Sequence, residues 1–177
     1  MPHSTLLTAR LELVPITLPL VEALMLDRRA DAEAVLGARL PNAWPGRTLI
    51  EQAFSASLER IQENPEVQLW GSRVMITREG ARWVIGSVLF HGAPDDAGLV
   101  EVAYGVEQQS QSKGYATEGT RASVEWALGQ PGVRAVRGTT PPWHTPSRRV
   151  LEKCGLEVVG NRESGMLGEL LEYERQR

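Results

Sequence analysis

The segment from residue 99 to residue 128 constrains the fold more than any other part of the chain. It opens with LVEVAYGV, an apolar run with β-branched residues that is typical of a buried strand. A polar stretch around Gly114 follows, and a helix-like pattern then continues to about Leu128. A strand that leads into a helix in this way predicts a layered α/β unit, with the helix N-terminus directly after the turn.

The polar turn around Gly114 suits an anion. A helix N-terminus has unpaired backbone N–H groups and about half a positive charge, and a glycine lets the backbone approach a ligand closely. Lys113 adds a positive charge and Thr117 a hydroxyl. The same composition is equally typical of an ordinary strand-to-helix loop, and the spacing matches neither GxxxxGK[ST] nor GxGxxG. The residues alone therefore leave the ligand open.

The rest of the sequence predicts alternating helices and strands. The patterns indicate a strand at Leu11–Val14, a helix over residues 18–36 with a break near Arg28, and a helix from Thr48 to Asn64. A hairpin over residues 69–92 precedes the central strand. A strand at 133–140, a short helix from about Pro146 to Lys153 and two final strands follow the central helix. This order predicts one mixed α/β domain spanning residues 1–177.

Composition and charge narrow the function classes. Hydrophobic residues make up 42% and charged residues 23% of the chain, which is the balance of an ordinary globular protein. No apolar run approaches the roughly 18 residues that span a bilayer, and the N-terminal segment lacks a signal-peptide pattern. We therefore expect a cytoplasmic protein without membrane contact. The net charge of −3, with both signs mixed along the chain, argues against a nucleic-acid partner.

Cysteine and histidine usage argues against two further kinds of site. Cys154 is the only cysteine, so an intrachain disulfide is excluded and the thiol is expected to fill the core. The three histidines are scattered, without HxxxH or CxxC spacing, and we expect no metal site.

Four segments of the chain resemble one enzyme superfamily. QSKGYATEGTRA resembles the Q/R-x-x-G-x-G/A signature of the GNAT superfamily of N-acetyltransferases, with Gln111, Gly114 and Ala116 in the defining positions. VEVAYGV is similar to the fourth strand of that superfamily, and TPSRRVLEKCGLEVVG to the NxxS-containing element after its fifth strand. TARLELVPIT is similar to the opening of the branch that includes ribosomal-protein N-terminal acetyltransferases. The matches occur in family order and cover most of the chain.

The resemblance implies a fold and a co-substrate. The fold would be a mixed, mostly antiparallel sheet of about seven strands with helices on both faces, splayed between the fourth and fifth strands. The co-substrate would be acetyl-CoA, with its pyrophosphate on the backbone amides of the signature turn and its pantetheine along the end of the fourth strand, and with no metal. The implied cofactor-binding residues are Tyr104, Gly105, Val106, Gln111, Ser112, Lys113, Gly114, Tyr115, Ala116 and Thr117.

Glu101 is the candidate general base. An amine attacks a thioester only when neutral, so a group must accept its proton, directly or through water. Alternation in LVEVAYGV places Val100 and Tyr104 on one face and Glu101 on the other. A carboxylate in so apolar a strand is costly unless it faces water, a partner or a site. The alternative interpretation is that Glu101 lies on an exposed face or pairs with an arginine.

Ser147 and His144 are further catalytic candidates. Ser147 occupies the serine position of the NxxS-like element, where the resemblance implies that it holds water or protonates the thiolate; alternatively it caps the following helix. His144 replaces the asparagine of that element and could contact CoA or act as an acid or base, or be a surface residue. Leu151 stands where many relatives have a tyrosine acid, which leaves Tyr104 as an alternative acid, or as an aromatic wall.

The acceptor pocket is expected to form from segments outside the signature. Trp44, Phe90, His91 and Trp143 are the candidate lining residues, although core packing explains each tryptophan equally well. We predict transfer of an acetyl group from acetyl-CoA to a primary amine, either a protein N-terminus or a small molecule. The alternatives are transfer of another acyl group and a catalytically silent acyl-CoA-binding module. A homodimer is compatible with each of these functions.

Overall fold

The computed structural model describes residues 3–43 and 47–177. One eight-stranded sheet has the order β1-β2-β3-β4-β5-β6-β8-β7. Its strands are β1 (Leu6–Leu7), β2 (Leu11–Pro15), β3 (Arg73–Thr77), β4 (Val84–Phe90), β5 (Leu99–Val106), β6 (Ala135–Thr140), β7 (Glu157–Ser164) and β8 (Gly168–Gln176). The α-helices are α1 (Leu18–Met25), α2 (Arg29–Leu36), α3 (Arg47–Phe54), α4 (Leu58–Glu63), α5 (Pro65–Gln68), α6 (Tyr115–Leu128) and α7 (Thr145–Lys153).

The sheet is antiparallel except at one pair of strands. β5 and β6 run parallel, joined by α6, because a parallel pair needs a long crossover connection. Their register covers only Leu99–Glu101 on β5, after which the two strands continue without pairing. The predicted mixed sheet that opens between these strands is confirmed. The sheet has eight strands rather than about seven, because the two-residue strand β1 pairs with β2 and is too short to give a sequence pattern.

Two apolar cores lie on opposite faces of the sheet. The first packs α1 to α4 against one face, and the second packs α6 and α7 against the other. Strand β3 shows how alternation divides the side chains, since Val74 and Ile76 belong to the first core and Met75 to the second. Because β5 also alternates, Val100 and Val102 enter the second core and Glu101 points to the opposite face.

The helical regions before β3 agree with the predictions in part. The predicted break near Arg28 is confirmed, because α1 ends at Met25 and α2 starts at Arg29. The predicted continuous helix from Thr48 to Asn64 is wrong. It divides after Phe54, where Ser55 has a left-handed φ of 53°, and α4 restarts behind Ser57, whose hydroxyl accepts a hydrogen bond from the Arg60 N–H at 3.3 Å.

No helix in the described ranges 3–43 and 47–177 is both long and apolar enough to cross a membrane.

Strands β4 and β5 approach closely at Gly86. Gly86 pairs with Val106, and a Cβ placed on Gly86 would lie 2.2 Å from the carbonyl oxygen of Gly105. A side chain at this position would therefore push against the backbone of β5, the strand that borders the opening in the sheet.

We expect Gly86→Ala to lower the free energy of unfolding by about 1–3 kcal/mol, because an added methyl overpacks a rigid backbone contact. Gly105→Ala is the matched control on the neighbouring strand, since nothing lies within 4 Å of its added Cβ. That control should leave stability unchanged or raise it by up to about 1 kcal/mol. Denaturant unfolding of both variants is the measurement, and equal stability of the two would contradict the close contact.

Candidate active site

The opening between β5 and β6 exposes one edge of β5. On its other edge, β5 pairs with β4 along Val102–Val106, whereas its pairing with β6 stops at Glu101. The backbone groups of β5 that face β6 beyond Glu101 therefore lack ladder partners, and such groups are hydrogen-bonding sites for a ligand or for water. This edge ends at Val106, where the signature turn begins.

The signature turn is built from a short 3₁₀ helix (Gln108–Ser110) and two left-handed residues. Ser112 has φ 61° and Gly114 has φ 83°. The side-chain amide of Gln111 donates to the carbonyl of Val106 at 3.0 Å, which ties the turn to the end of β5. Gly114 occupies the N-cap position of α6 in a conformation that favours glycine.

The N-terminus of α6 presents donors to solvent. No side chain among the described residues caps this helix, and its hydrogen bonding starts with Glu118 N–H to the Gly114 carbonyl at 3.0 Å. The N–H groups of Tyr115, Ala116 and Thr117 consequently have no helical acceptor. With the helix dipole behind them, these N–H groups suit an anion at the end of the β5 edge.

Two residues that the sequence interpretation did not single out support this turn. Arg10, immediately before β2, forms an ion pair with Glu118 at 2.7 Å and also donates to the carbonyl of Lys113 at 2.9 Å. Thr8 donates its hydroxyl proton to the Glu118 carboxylate at 2.7 Å. Both Arg10 and Thr8 lie in the TARLELVPIT segment, which was recognised only as a mark of the family branch. The sequence motif therefore contained both residues, but no local pattern indicated that they contact the turn.

Tyr104 and Ser147 meet on the face of β5 that packs against α7. The Tyr104 hydroxyl lies 2.8 Å from the carbonyl oxygen of Ser147, to which it donates, and 3.0 Å from the Ser147 Oγ. Burial raises the pKa of Tyr104 to about 12, and the hydrogen bond with Ser147 offsets only part of this effect. The phenol is therefore protonated over the neutral range and donates a hydrogen bond at this face.

His144, and not Ser147, is the N-cap of α7. Its Nδ1 accepts a hydrogen bond from the Ser147 N–H at 3.2 Å, so the proton of the neutral imidazole lies on Nε2. The alternative interpretation of Ser147 as the cap is wrong, because the helix begins two residues before Ser147, at Thr145. The cap holds the Ser147 backbone and thereby fixes the Oγ beside Tyr104.

Glu101 lies on the opposite face of β5 from Tyr104, at the last paired position before the opening. Its side chain is 30% exposed and lies near polar groups from other strands of the sheet. Thr139 Oγ1 lies 3.4 Å from its carboxylate, and Arg162 Nη2 lies 3.7 Å away. The arginine contact corresponds to the alternative interpretation of this residue, although the long distance and the exposed Arg162 make a weak ion pair.

An arginine beside Glu101 is held by two other carboxylates. Arg137 faces Glu101 across the strand pair and forms ion pairs with Glu172 at 2.9 Å and with Glu174. The hydrogen bond with Glu174 contributes most to raising the pKa of Arg137. Because Arg137 is engaged by Glu172 and Glu174, it leaves the Glu101 carboxylate accessible from the open face.

The predicted acceptor-lining residues do not form one group. Phe90 is fully buried and packs against Trp70 and Trp126, with ring centroids 5.2 and 6.3 Å away. It belongs to the second core, and its prediction as a pocket residue is wrong because no part of the ring is exposed. His91 is exposed, and its backbone N–H donates to the Glu101 carbonyl at 2.9 Å.

Trp143 is 73% exposed and lies beside His144, with ring centroids 5.5 Å apart. It therefore presents an aromatic surface at the start of α7, next to the opening in the sheet. Trp44 lies outside the described residues.

A cavity of about 920 Å³ lies beside the signature turn. It is lined by residues 107–110, Lys113 and Tyr115 of the turn and by Arg10, and its other described lining residues come from the 41–43 segment and the β3–β4 hairpin. None of these lining residues belongs to β6 or α7, so the cavity is distinct from the opening between β5 and β6.

Cys154 is buried at the end of α7, and burial raises the pKa of its thiol to about 11. The thiol therefore stays protonated and packs in the second core, with its Sγ 3.7 Å from the Thr117 carbonyl.

In the part of the chain that the structure describes, no group of three or more His, Cys, Asp or Glu side chains is arranged to hold a metal ion.

Comparison with known proteins identifies the same family as the sequence motifs. Residues 10–157 match the family model described as an acetyltransferase (GNAT) domain. The sequence is 26% identical over 150 residues to the uncharacterized N-acetyltransferase YjdG of Bacillus subtilis (strain 168), covering 84% of this chain and 86% of that protein.

Two solved structures share the fold. The ribosomal-protein-S5-alanine acetyltransferase of Vibrio fischeri matches with a TM-score of 0.67 and 11% identity, over 98% of this chain and 96% of the other. The microcin C7 self-immunity acetyltransferase MccE, solved in complex with acetyl-CoA and AMP, matches with a TM-score of 0.62 and 13% identity, over 96% and 94%. At these identities the likeness concerns the fold.

We expect Tyr104→Phe to lower the free energy of unfolding by about 1 kcal/mol at neutral pH, through loss of the buried hydrogen bonds to Ser147. Because the folded-state pKa of Tyr104 is raised, its contribution is fully present below the unfolded value of about 10 and is lost as the pH rises towards about 12. Unfolding of wild type and variant between about pH 7 and pH 11 measures this difference. A difference that grows above about pH 10 would contradict the assignment.

Proposed function

The chain belongs to the GNAT family of acetyltransferases, and on this premise we propose that it transfers the acetyl group of acetyl-CoA directly to a primary amine. One observation carries the proposal. The unpaired edge of β5 leads directly into the donor-rich N-terminus of α6, so an extended chain with an anionic end can bind both at once.

The residues of the opening fit acetyl-CoA. The edge of Tyr104, Gly105 and Val106 suits the amide groups of pantetheine, and the amides of residues 111–117 suit the pyrophosphate. Lys113 is exposed at the rim of the turn and adds a positive charge there. When bound, acetyl-CoA supplies the activated acetyl thioester. The fold relative MccE, which was solved with acetyl-CoA, supports the same donor for this chain.

Glu101 is proposed to receive the proton of the attacking amine, directly or through water. A lysine amine titrates near about 10.4 and an α-amino group near about 8, so a nearby acceptor increases the neutral fraction. Glu101 lies where the opening begins, on the face opposite the α6 and α7 side. An amine that approaches from this face meets the carboxylate before it reaches the strand edge.

Tyr104 and Ser147 are proposed to supply a proton to the departing thiolate from the other face of β5. Their hydroxyl groups lie 3.0 Å apart, so the phenol, on turning from the Ser147 carbonyl to the Oγ, can replace a proton that Ser147 gives to the thiolate. The unpaired N–H groups of β5 beyond Glu101 are the donors available to the tetrahedral oxyanion. His144 acts in this scheme by holding Ser147 in place.

The acceptor is proposed to be a protein N-terminus or a small-molecule amine. The exposed Trp143 and the open polar face around Glu101 suit an extended chain with a terminal amine, and the Vibrio fischeri relative is described as acting on an alanine of a ribosomal protein.

The contact of Arg162 with Glu101 favours a second candidate, a catalytically silent acyl-CoA-binding module. Release of CoA from acetyl-CoA with a panel of amines distinguishes the two.

We expect Gly114→Glu to abolish binding of acetyl-CoA, because the new side chain adds a negative charge to the turn and its Cβ would lie 3.3 Å from Arg10 Nη2, which holds the turn. At about 100 times its Kd, acetyl-CoA should stabilise the wild type by about 2.7 kcal/mol, and thermal unfolding measures this effect. Gly132→Glu is the matched control, since Gly132 has φ 81° and open space around its Cβ position. It introduces the same strain and charge, and the stabilisation should persist. Full stabilisation of Gly114→Glu by acetyl-CoA would refute the placement of the pyrophosphate.

We expect Glu101→Gln to lower kcat at neutral pH by about a hundredfold with little change in KM, since general-base contributions are of that order. The acidic limb of the pH–rate profile should also change. Glu63→Gln, an exposed glutamate at the end of α4, removes the same charge on an element that does not border the opening and should behave as wild type. An unaltered profile in Glu101→Gln would remove Glu101 as the base.

A further inference from the structure

We infer that Arg10 and Thr8, acting through Glu118, are positioning residues that set the donor geometry of the signature turn. The N-terminal segment before β2 would then be part of the donor site. The inference rests on the proposed binding of the acetyl-CoA pyrophosphate at this turn.

The carboxylate of Glu118 is the centre of the contact. It accepts hydrogen bonds from the Thr8 hydroxyl at 2.7 Å, from the Arg10 backbone N–H at 2.8 Å and from the Arg10 Nε at 2.7 Å. Glu118 lies in the first turn of α6, so these three bonds fix the start of the helix to the entry of β2.

Arg10 also orients a peptide group of the turn. Its Nη1 donates to the Lys113 carbonyl at 2.9 Å. In a trans peptide the carbonyl and the following N–H point in opposite directions, so the Gly114 N–H is directed away from Arg10. A hydrogen bond on the carbonyl also polarises the peptide and strengthens that N–H as a donor. Arg10 therefore lies on one side of the peptide that joins Lys113 to Gly114, and the Gly114 N–H faces the opposite side.

The same side chain packs against both residues that follow Lys113. The guanidinium lies over the Tyr115 ring, 4.3 Å from its centroid, and its Nη2 lies 3.3 Å from the position of a Cβ on Gly114. One arginine thus contacts three consecutive residues of the turn and restricts their movement.

Charge supplies a second reason for the arrangement. A free carboxylate in the first turn of α6 would repel an anionic ligand and compete with it for the helix N-terminus. Burial raises the pKa of Glu118, but the bonds from Thr8 and Arg10 outweigh this effect and lower it on balance, so Glu118 is ionised. Its ion pair with Arg10 neutralises that charge and leaves the helix N-terminus available to a phosphate.

The inference is tested by comparing Arg10→Gln with the wild type on two acetyl donors, acetyl-CoA and acetyl-pantetheine. We expect its Kd and KM for acetyl-CoA to rise about tenfold, which corresponds to about 1.4 kcal/mol, with kcat little changed. Acetyl-pantetheine lacks the pyrophosphate, and its kcat/KM should be the same in variant and wild type. If the substitution damaged the fold, kcat/KM would fall with both acetyl-CoA and acetyl-pantetheine. A fall with acetyl-CoA alone therefore indicates that Arg10 positions the turn.

Matched variants sharpen the test. Arg82 forms an ion pair with Glu12 of β2 and is 42% exposed, against 41% for Arg10, so Arg82→Gln should bind acetyl-CoA as wild type does. Thr8→Val should weaken acetyl-CoA binding, whereas Thr8→Ser, which keeps the hydroxyl, should restore it. If Arg10→Gln does not fold, Arg10→Lys serves in its place. It retains the charge but cannot reach both Glu118 and the Lys113 carbonyl in the same geometry.

Three results would overturn the inference. The first is an unchanged Kd and KM for acetyl-CoA in the Arg10 variant, and the second is an equal loss with acetyl-CoA and acetyl-pantetheine. The third is equal binding by Thr8→Val and Thr8→Ser. If the wild type itself does not bind acetyl-CoA, the proposed function fails, and that outcome is recognised before any variant is measured.

Discussion

The structure depends on the early end of the pairing between β5 and β6. These strands form the parallel pair of the sheet, and their ladder stops after Glu101 and Arg137 while both strands continue. Buried backbone groups in proteins are nearly always hydrogen-bonded, so an unpaired strand edge inside a sheet requires a partner from outside the fold. β4 holds β5 from the other side through to Val106, which keeps the edge straight up to the signature turn.

The signature turn extends the row of unpaired backbone groups that starts along the β5 edge. Gln111 holds the end of β5, Gly114 reverses the chain in a left-handed conformation, and α6 then starts without a side-chain cap. In an ordinary helix a side chain would satisfy these first N–H groups, and its absence from the described residues leaves them for a ligand. Arg10 and Glu118 fix the same turn from behind. Edge and turn therefore form one continuous set of backbone donors and acceptors, supported by contacts from a segment about a hundred residues earlier in the chain.

The features that could be predicted from the sequence are those with local causes. The strand at 99–106, the glycine turn and the helix after it are encoded by neighbouring residues, and the chain order of the motifs identified the family. Features that depend on distant contacts were missed or misplaced. Strand β1 exists only because Leu6 pairs with Leu13, and Phe90 enters the core because of its register against Val102. The bond between Arg10 and Glu118 joins residues that no local pattern connects.

Binding of the acetyl donor and proton transfer depend on different parts of β5, the backbone and the side chains respectively. Donor binding uses backbone groups, which the fold supplies whatever side chains are present. The proposed proton transfers need particular side chains, and alternation along the strand separates the candidates, with Glu101 on one face and Tyr104 beside Ser147 on the other. A reaction at the strand edge lies between these two faces, so an amine can lose its proton on one side while the thiolate gains one on the other. The proposed acid and base, kept apart in this way, would not neutralise each other by direct transfer, and a single strand could therefore hold both.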